Sequence, residues 1–200
     1  MNWKSVRRFG LVALASLGLA ACGINSVPTA EENAKAKWAD VEAQFQRRAN
    51  LIPNLAEVAK GAAENERAIL TEVTEARAKA TSVNVTADDL GNAEKMNEFA
   101  AAQSQMSAGI GRLLASFEAY PQITSTQGYI TLQSQLEGTE NRIAVAIRDY
   151  NEAVRQYNTT IRTFPDIIGA KIVHGAEPLV PYKATTEGAE VAPELDMTSN

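Results

Sequence analysis

The chain has 200 residues, of which 45% are hydrophobic, 22% charged and 6% aromatic, with a formal net charge of −5, one cysteine and one histidine. That length suits a single domain with a real core. The acidic balance offers no basic face for a nucleic-acid backbone, one histidine excludes a multi-histidine metal site, and one cysteine excludes an internal disulfide.

The N-terminus reads as a targeting segment. Lys4, Arg7 and Arg8 precede an apolar run from Phe9 to Ala21, which is shorter than the ~20 residues a membrane-spanning helix needs. The run ends in Leu19-Ala20-Ala21-Cys22. This resembles the lipobox of bacterial lipoproteins, in which small residues precede a cysteine whose thiol is acylated. The expectation is a signal peptide over 1–21, removed before a lipid-bearing Cys22. A plain secretory signal or a short uncleaved anchor is the alternative. Such cleavage takes the formal net charge from −5 to −8, so attachment to an anionic surface has to come from the acyl chains. Gly23 stands where an aspartate often signals inner-membrane retention, which favours the outer membrane if the host sorts by that rule.

A short linker over 22–29 leads to Thr29 and Glu32, spaced as a capping box for a helix beginning near Ala30. Trp38, Phe45, Ile52, Ala59 and Val73 then recur at one heptad position, and Val41, Leu55, Ala62, Ile69 and Ala76 at the other. Alternating spacings of four and three hold one apolar seam on one side of a helix. Arg48 and Glu66 fall in that seam. Pro53 interrupts the hydrogen-bond ladder without shifting the phase, which predicts one kinked helix to about Lys79; a break with Asn50 capping a new helix is the alternative.

Thr81 to Thr86 reads as a loop, with Asp88 or Asp89 capping the next helix. Met96, Gln103, Ile110 and Phe117 recur by sevens, as do Phe99, Met106, Leu113 and Tyr120. Gly109 and Gly111 each cost about 1 kcal/mol of helix propensity, which predicts close approach of a neighbour. Pro121 ends the segment, and Thr124 with Gln127 predicts the start of a long helix to about Thr163. Leu132 and Leu136 lead into its seam, continued by Ile143, Tyr150, Tyr157 and Phe164, and by Ile147, Val154 and Ile161. Asn151 and Asn158 repeat at seven beside it. Short helical turns are expected over Asp166–Val173, ended by Gly175, and the residues from 176 to 200 are expected to run from extended to disordered and acidic. The fold class is therefore all-α, a long antiparallel bundle of three to four helices over 30–175.

Several motifs resemble the LemA family: Arg47-Arg48-Ala49-Asn50-Leu51-Ile52-Pro53-Asn54-Leu55, Lys60-Gly61, Glu66, Glu75-Ala76-Arg77-Ala78-Lys79-Ala80, Leu136-Glu137-Gly138-Thr139-Glu140-Asn141-Arg142-Ile143-Ala144, Asp149-Tyr150-Asn151, Tyr157-Asn158 and Phe164-Pro165. The resemblance spans about 30–170. It implies a helical bundle on the outer side of a bacterial cytoplasmic membrane, with no established biochemical activity. Many members are held by a transmembrane helix, from which this chain departs at Cys22. Members are often encoded near membrane proteins carrying a TPM-type domain, which points to such a protein as an envelope partner.

Catalysis has poor raw material, and neither an enzyme activity nor a cofactor is expected. A charge in a bundle seam costs several kcal/mol unless paired. Arg48, Glu66 and Glu140, with Arg77 or Arg142 as a further partner, are therefore expected to form an interhelical polar network that fixes helix register. A functional reading adds a docking site near Pro53, with Arg47 and Asn54 presenting donors and Glu140, Asn141 and Arg142 completing it. The role expected is an envelope scaffold or adaptor on the periplasmic side. A small-ligand module with a pocket near Arg48 and Glu140 is the alternative.

Overall fold

The computed structural model describes residues 3–58 and 64–184, with side chains described over 24–58 and 67–184. Six α-helices follow in order among the described residues: α1 Trp3–Val58, α2 Glu64–Ser82, α3 Ala93–Phe117, α4 Pro121–Thr124, α5 Gln127–Thr160 and α6 Asp166–Gly169. A π turn, Ala170–His174, continues α6. No strand occurs among the described residues. The acidic tail from 185 onward lies outside them.

Pairings between helices set the topology. Arg77 of α2 reaches back to Ala49 of α1, Gly109 of α3 packs on Val73 of α2, and Glu140 of α5 meets Arg48. The four long helices therefore run up, down, up and down, and the expected antiparallel bundle has four members. Among the described residues its heptad residues form two large cores and a smaller third, in which Tyr157 and Ile161 meet Val27 and Ala170. One large core gathers Ile52, Leu55, Val73, Met106, Leu113, Phe117, Leu132 and Leu136. The other gathers Trp38, Val41, Phe45, Met96, Phe99, Ile143, Tyr150 and Val154. Each large side chain so buried contributes roughly 1.5–3 kcal/mol.

Three expected helix boundaries are displaced. Thr29 does not open α1, because 24–29 is already helical and the Thr29 hydroxyl donates back to the Asn25 carbonyl at 2.7 Å. Asn92, not Asp88 or Asp89, caps α3 by accepting from the Glu94 and Lys95 amides at 3.0 and 3.2 Å. Thr126, not Thr124, caps α5 by accepting from the Tyr129 amide at 3.2 Å. In the last two cases a neighbouring Asn or Thr supplied an equally good cap.

Both prolines of α1 lie inside the helix. A proline removes the N–H that the carbonyl four residues back would accept from, leaving Ile24 for Pro28 and Ala49 for Pro53. Each of these acceptors has found a donor from another element. His174 Nε2 donates to the Ile24 carbonyl at 2.8 Å, and Arg77 Nε donates to the Ala49 carbonyl at 2.8 Å. The prolines are close to seven helical turns apart, so they share one face. Neither the expected single helix to Lys79 nor a break at Asn50 is found: α1 passes through Pro53 to Val58 and a new helix starts at Glu64. The bundle needs that reversal so that α2 can lie back on α1 and α3.

The glycines of α3 differ. A Cβ on Gly109 would meet Val73 Cγ2 at 3.2 Å, whereas one on Gly111 would meet nothing within 4 Å. Close approach explains the first and not the second.

Beyond α5 the chain turns a corner through α6 and the π turn, which ends at Gly175 with φ 56°. An extended strap, 176–184, then runs back along α5. Asn158 brackets Leu179, its Nδ2 donating to the carbonyl at 2.8 Å and its Oδ1 accepting from the amide at 2.9 Å. Asn151 brackets Tyr182 in the same way at 2.9 and 2.8 Å. Seven helical residues advance about 10.5 Å and three extended residues about 9–10 Å, so the two repeats match. Tyr150 donates its hydroxyl to the Val180 carbonyl at 2.8 Å, and burial raises that phenol well above its ordinary range. Val180 also donates its amide to the Leu90 carbonyl at 2.8 Å, fixing the strap to the α2–α3 connection.

Candidate functional site

Arg48 occupies a seam position of α1 and is only 2% exposed. Its Nη2 donates to the Gln103 carbonyl at 3.1 Å and to Gln103 Oε1 at 2.9 Å. Its Nη1 donates to the Ser107 hydroxyl and to Glu140 Oε1 at 3.2 Å. The guanidinium carbon lies 5.0 Å from the centroid of the Phe45 ring, a geometry in which the aromatic face stabilises the cation. Gln103 passes the network on, donating Nε2 to the Ala80 carbonyl at 3.3 Å. Four helices, α1, α2, α3 and α5, are thereby locked together around one buried charge. Arg48 Nε has no partner among the described residues.

The ion pair is unequal. Arg48 is enclosed, while the Glu140 side chain is 49% exposed. The charge is buried on one side and solvated on the other, because Glu140 forms the rim of a groove. That groove, of 970 Å³, lies between α3 and α5. Arg48 and Phe45 form its floor, and Ala101, Ser104, Ala108, Glu140 and Ala144 are among its walls. Tyr182 and Ala184 of the strap line it as well. Tyr182 also packs on Phe45 and Phe99, with ring centroids 5.8 and 6.4 Å away. Burial pushes its hydroxyl up to about 12. Small residues on both walls open the groove, and its charges sit at the bottom and on one edge.

The expected site residues separate into groups. Arg48 and Glu140 meet as expected. Arg77 does not meet Glu140: it serves the Ala49 carbonyl, because what Pro53 removes is a donor. Asn141 and Arg142 point away from the network into a second cleft, lined also by Asp40, Gln44, Val145 and Asp149. Arg142 is therefore not a partner of Arg48. Arg47 and Asn54 are exposed and lie outside the groove lining. The side chains of Glu66 and Cys22 fall outside the described residues, although the backbone is helical at both.

Gln103 and Ser107 complete the network. Gln103 is readable as a polar residue in the apolar series of α3, whereas Ser107 gives no signal. The double clasp of Asn151 and Asn158 is visible in the sequence only as their seven-residue repeat.

A family model described as LemA family matches residues 37–196. The magnetosome protein MamQ 2 of Paramagnetospirillum magneticum is 28% identical over 157 residues, and magnetosome protein MamQ of Magnetospirillum gryphiswaldense 27%. These matches cover 70% of this chain and 58% of each relative, so the chain spans little more than half the length of the curated relatives it matches. No helix among the described residues is long and apolar enough to cross a membrane.

Proposed function

The chain belongs to the LemA family, and on that premise we propose that it is a membrane-tethered envelope scaffold that holds a partner polypeptide in the groove above Arg48. The observation that carries the reading is the form of the groove. It is an open trough 970 Å³ in volume with an extended peptide, the strap, already seated at its end. A small metabolite is ordinarily held in a concave pocket that buries most of its surface. An open trough suits a chain segment. The tether in this proposal is the lipid on Cys22, and the partner is an envelope membrane protein of the TPM-domain kind that the family resemblance suggests. The compartment is the periplasmic side, on the outer membrane if Gly23 is read as a sorting signal. No catalytic role or cofactor forms part of this reading.

A photo-crosslinking residue placed at Ala108 or Ala144 should capture a small set of proteins in living cells, and one at Ala43 should not. No specific protein at either groove position would overturn the scaffold reading. Cys22→Ala should leave the chain unprocessed or release it from membranes; normal processing with full retention would remove the lipid tether from the proposal.

The second reading is a small anion held by Arg48, favoured by the unpartnered Nε. A thermal shift with a carboxylate metabolite that disappears in Arg48→Met would support it over the first.

A further inference from the structure

Five of the seven large hydrophobic side chains exposed among the described residues gather at one end of the molecule. They are Ile24, Phe164, Ile168, Ile172 and Val173, between 41% and 79% exposed. Scattered apolar residues need no explanation, but a contiguous patch does. Ile168 and Ile172 are four residues apart across α6 and the π turn, which puts them on one side of the corner, and Phe164 is exposed in the turn that leads into it. The opposite side is satisfied, since Ala170 packs with Val27, Tyr157 and Ile161. The outer face therefore stays bare although the corner is firmly seated.

The corner is fixed to α1 at one particular place. His174 donates to the Ile24 carbonyl at 2.8 Å, and the Ser26 hydroxyl bonds Asp166. Ile24 lies three residues past the apolar run Phe9–Ala21 and two residues, about 3 Å of helix rise, from Cys22. Whether that run stays in place or acyl chains on Cys22 replace it, hydrocarbon begins within a few ångströms of the patch. Arg162 and Lys171, both exposed, stand within two residues of Phe164 and Ile172 in the chain, and their charges suit headgroup phosphates.

We propose that this corner is a lipid-contacting surface: Phe164, Ile168, Ile172 and Val173 enter the headgroup–acyl boundary and seat the bundle on the leaflet to which it is tethered. The proposal rests on the membrane attachment proposed above and adds a second, non-covalent point of contact. An anchor alone leaves the rod free to swivel, and a second contact fixes which end faces the lipid. The burial depth expected for such an edge is roughly 5–10 Å.

The full chain carrying Ile172→Trp tests this in phosphatidylethanolamine–phosphatidylglycerol vesicles with brominated acyl chains, which quench tryptophan only on contact. Ile130→Trp, at a site 50% exposed on α5 far from the corner, is the control, and the wild-type signal is subtracted from both. Both positions are exposed enough to accept the larger ring. The expected result is at least two-fold quenching at position 172 and none at 130. A chain that floats with the vesicles while position 172 stays unquenched overturns the proposal and leaves the attachment reading standing. A blue-shifted but unquenched Trp at 172 also overturns it, because a protein or a second copy then covers the patch. A chain that does not float overturns the attachment reading, and this proposal with it.

Discussion

Arg77 donates its Nε to the carbonyl of Ala49 at 2.8 Å, the acceptor that Pro53 deprives of its helical partner. A defect in one helix is thus repaired by a side chain from the next, and the repair fixes how α2 lies on α1.

Arg77→Met should cost about 1–3 kcal/mol, the range for leaving a buried carbonyl unpaired. Pro53→Ala restores the backbone donor, so in that background the same change should cost under about 0.5 kcal/mol. Urea denaturation of the four variants measures the coupling. Equal losses in both backgrounds would show that Arg77 acts elsewhere.

The strap depends on two amides. Asn151→Ala removes both hydrogen bonds to Tyr182 and should speed hydrogen exchange at the Tyr182 and Leu179 amides, with a loss of about 1–3 kcal/mol. Asn151→Asp should be worse than alanine, because it turns a carboxylate toward the Tyr182 carbonyl that Nδ2 now serves.

The Arg48–Glu140 pair should respond unequally. Arg48→Met replaces a buried charge by an apolar side chain and leaves a carboxylate that water already reaches, but it also takes the donor from the buried Gln103 Oε1, so the net loss should stay within about 1–3 kcal/mol. Glu140→Gln strands a buried cation among neutral acceptors and should cost about 1–2 kcal/mol, allowing for the exposure of the acid. In the Arg48→Met background, Glu140→Gln should then cost nothing measurable. Loss of crosslinking in an Arg48→Met chain that remains folded would assign the arginine to partner binding rather than to register.

Gly111→Ala should stabilise by about 1 kcal/mol through helix propensity, a rise of roughly 2–4 °C in Tm for a chain of this size. Gly109→Ala should gain little or lose, since the added methyl presses on Val73. Thermal scans that show the same gain at both sites would contradict the close approach.

How much of this the sequence reveals follows from the range over which each signal acts. Heptad periodicity is local, so Trp38, Phe45, Met106, Tyr150 and Val154 could be placed in the core directly, and Arg48 and Glu140 stood out by breaking the pattern. Caps were displaced where Asp, Asn and Thr compete within a few residues, as at Asp88, Asp89 and Asn92. Arg77 could not be assigned because a lone arginine does not reveal whether it will meet a carboxylate or an orphaned carbonyl. The groove was not legible either. It depends on the small walls of α3 and α5 and on where the strap ends, and those elements are distant in the chain.

Acid should loosen the α2–α3 connection. Lys95 Nζ bonds Asp89 at 2.7 Å, and with the Thr86 hydroxyl and amide it holds this carboxyl down at about 2, against an ordinary 3.8. The folded form binds this proton less readily than the unfolded one. The stabilisation is therefore complete above the ordinary carboxylate range and is lost as pH falls from about 4 toward 2. Asp89→Asn should flatten that part of the profile of Tm against pH and lower Tm at neutral pH.

The continuity of α1 has a mechanical consequence. Arg48 stands roughly 36 Å along the helix from Ile24, at 1.5 Å per residue, and no break divides them. The bundle built on it is then a lever: tilting the whole bundle at its base by about 10° would swing the groove through about 6 Å on this length. Whatever presses on the corner at Ile172 would be felt at Arg48 as displacement, without any change in the groove's own shape.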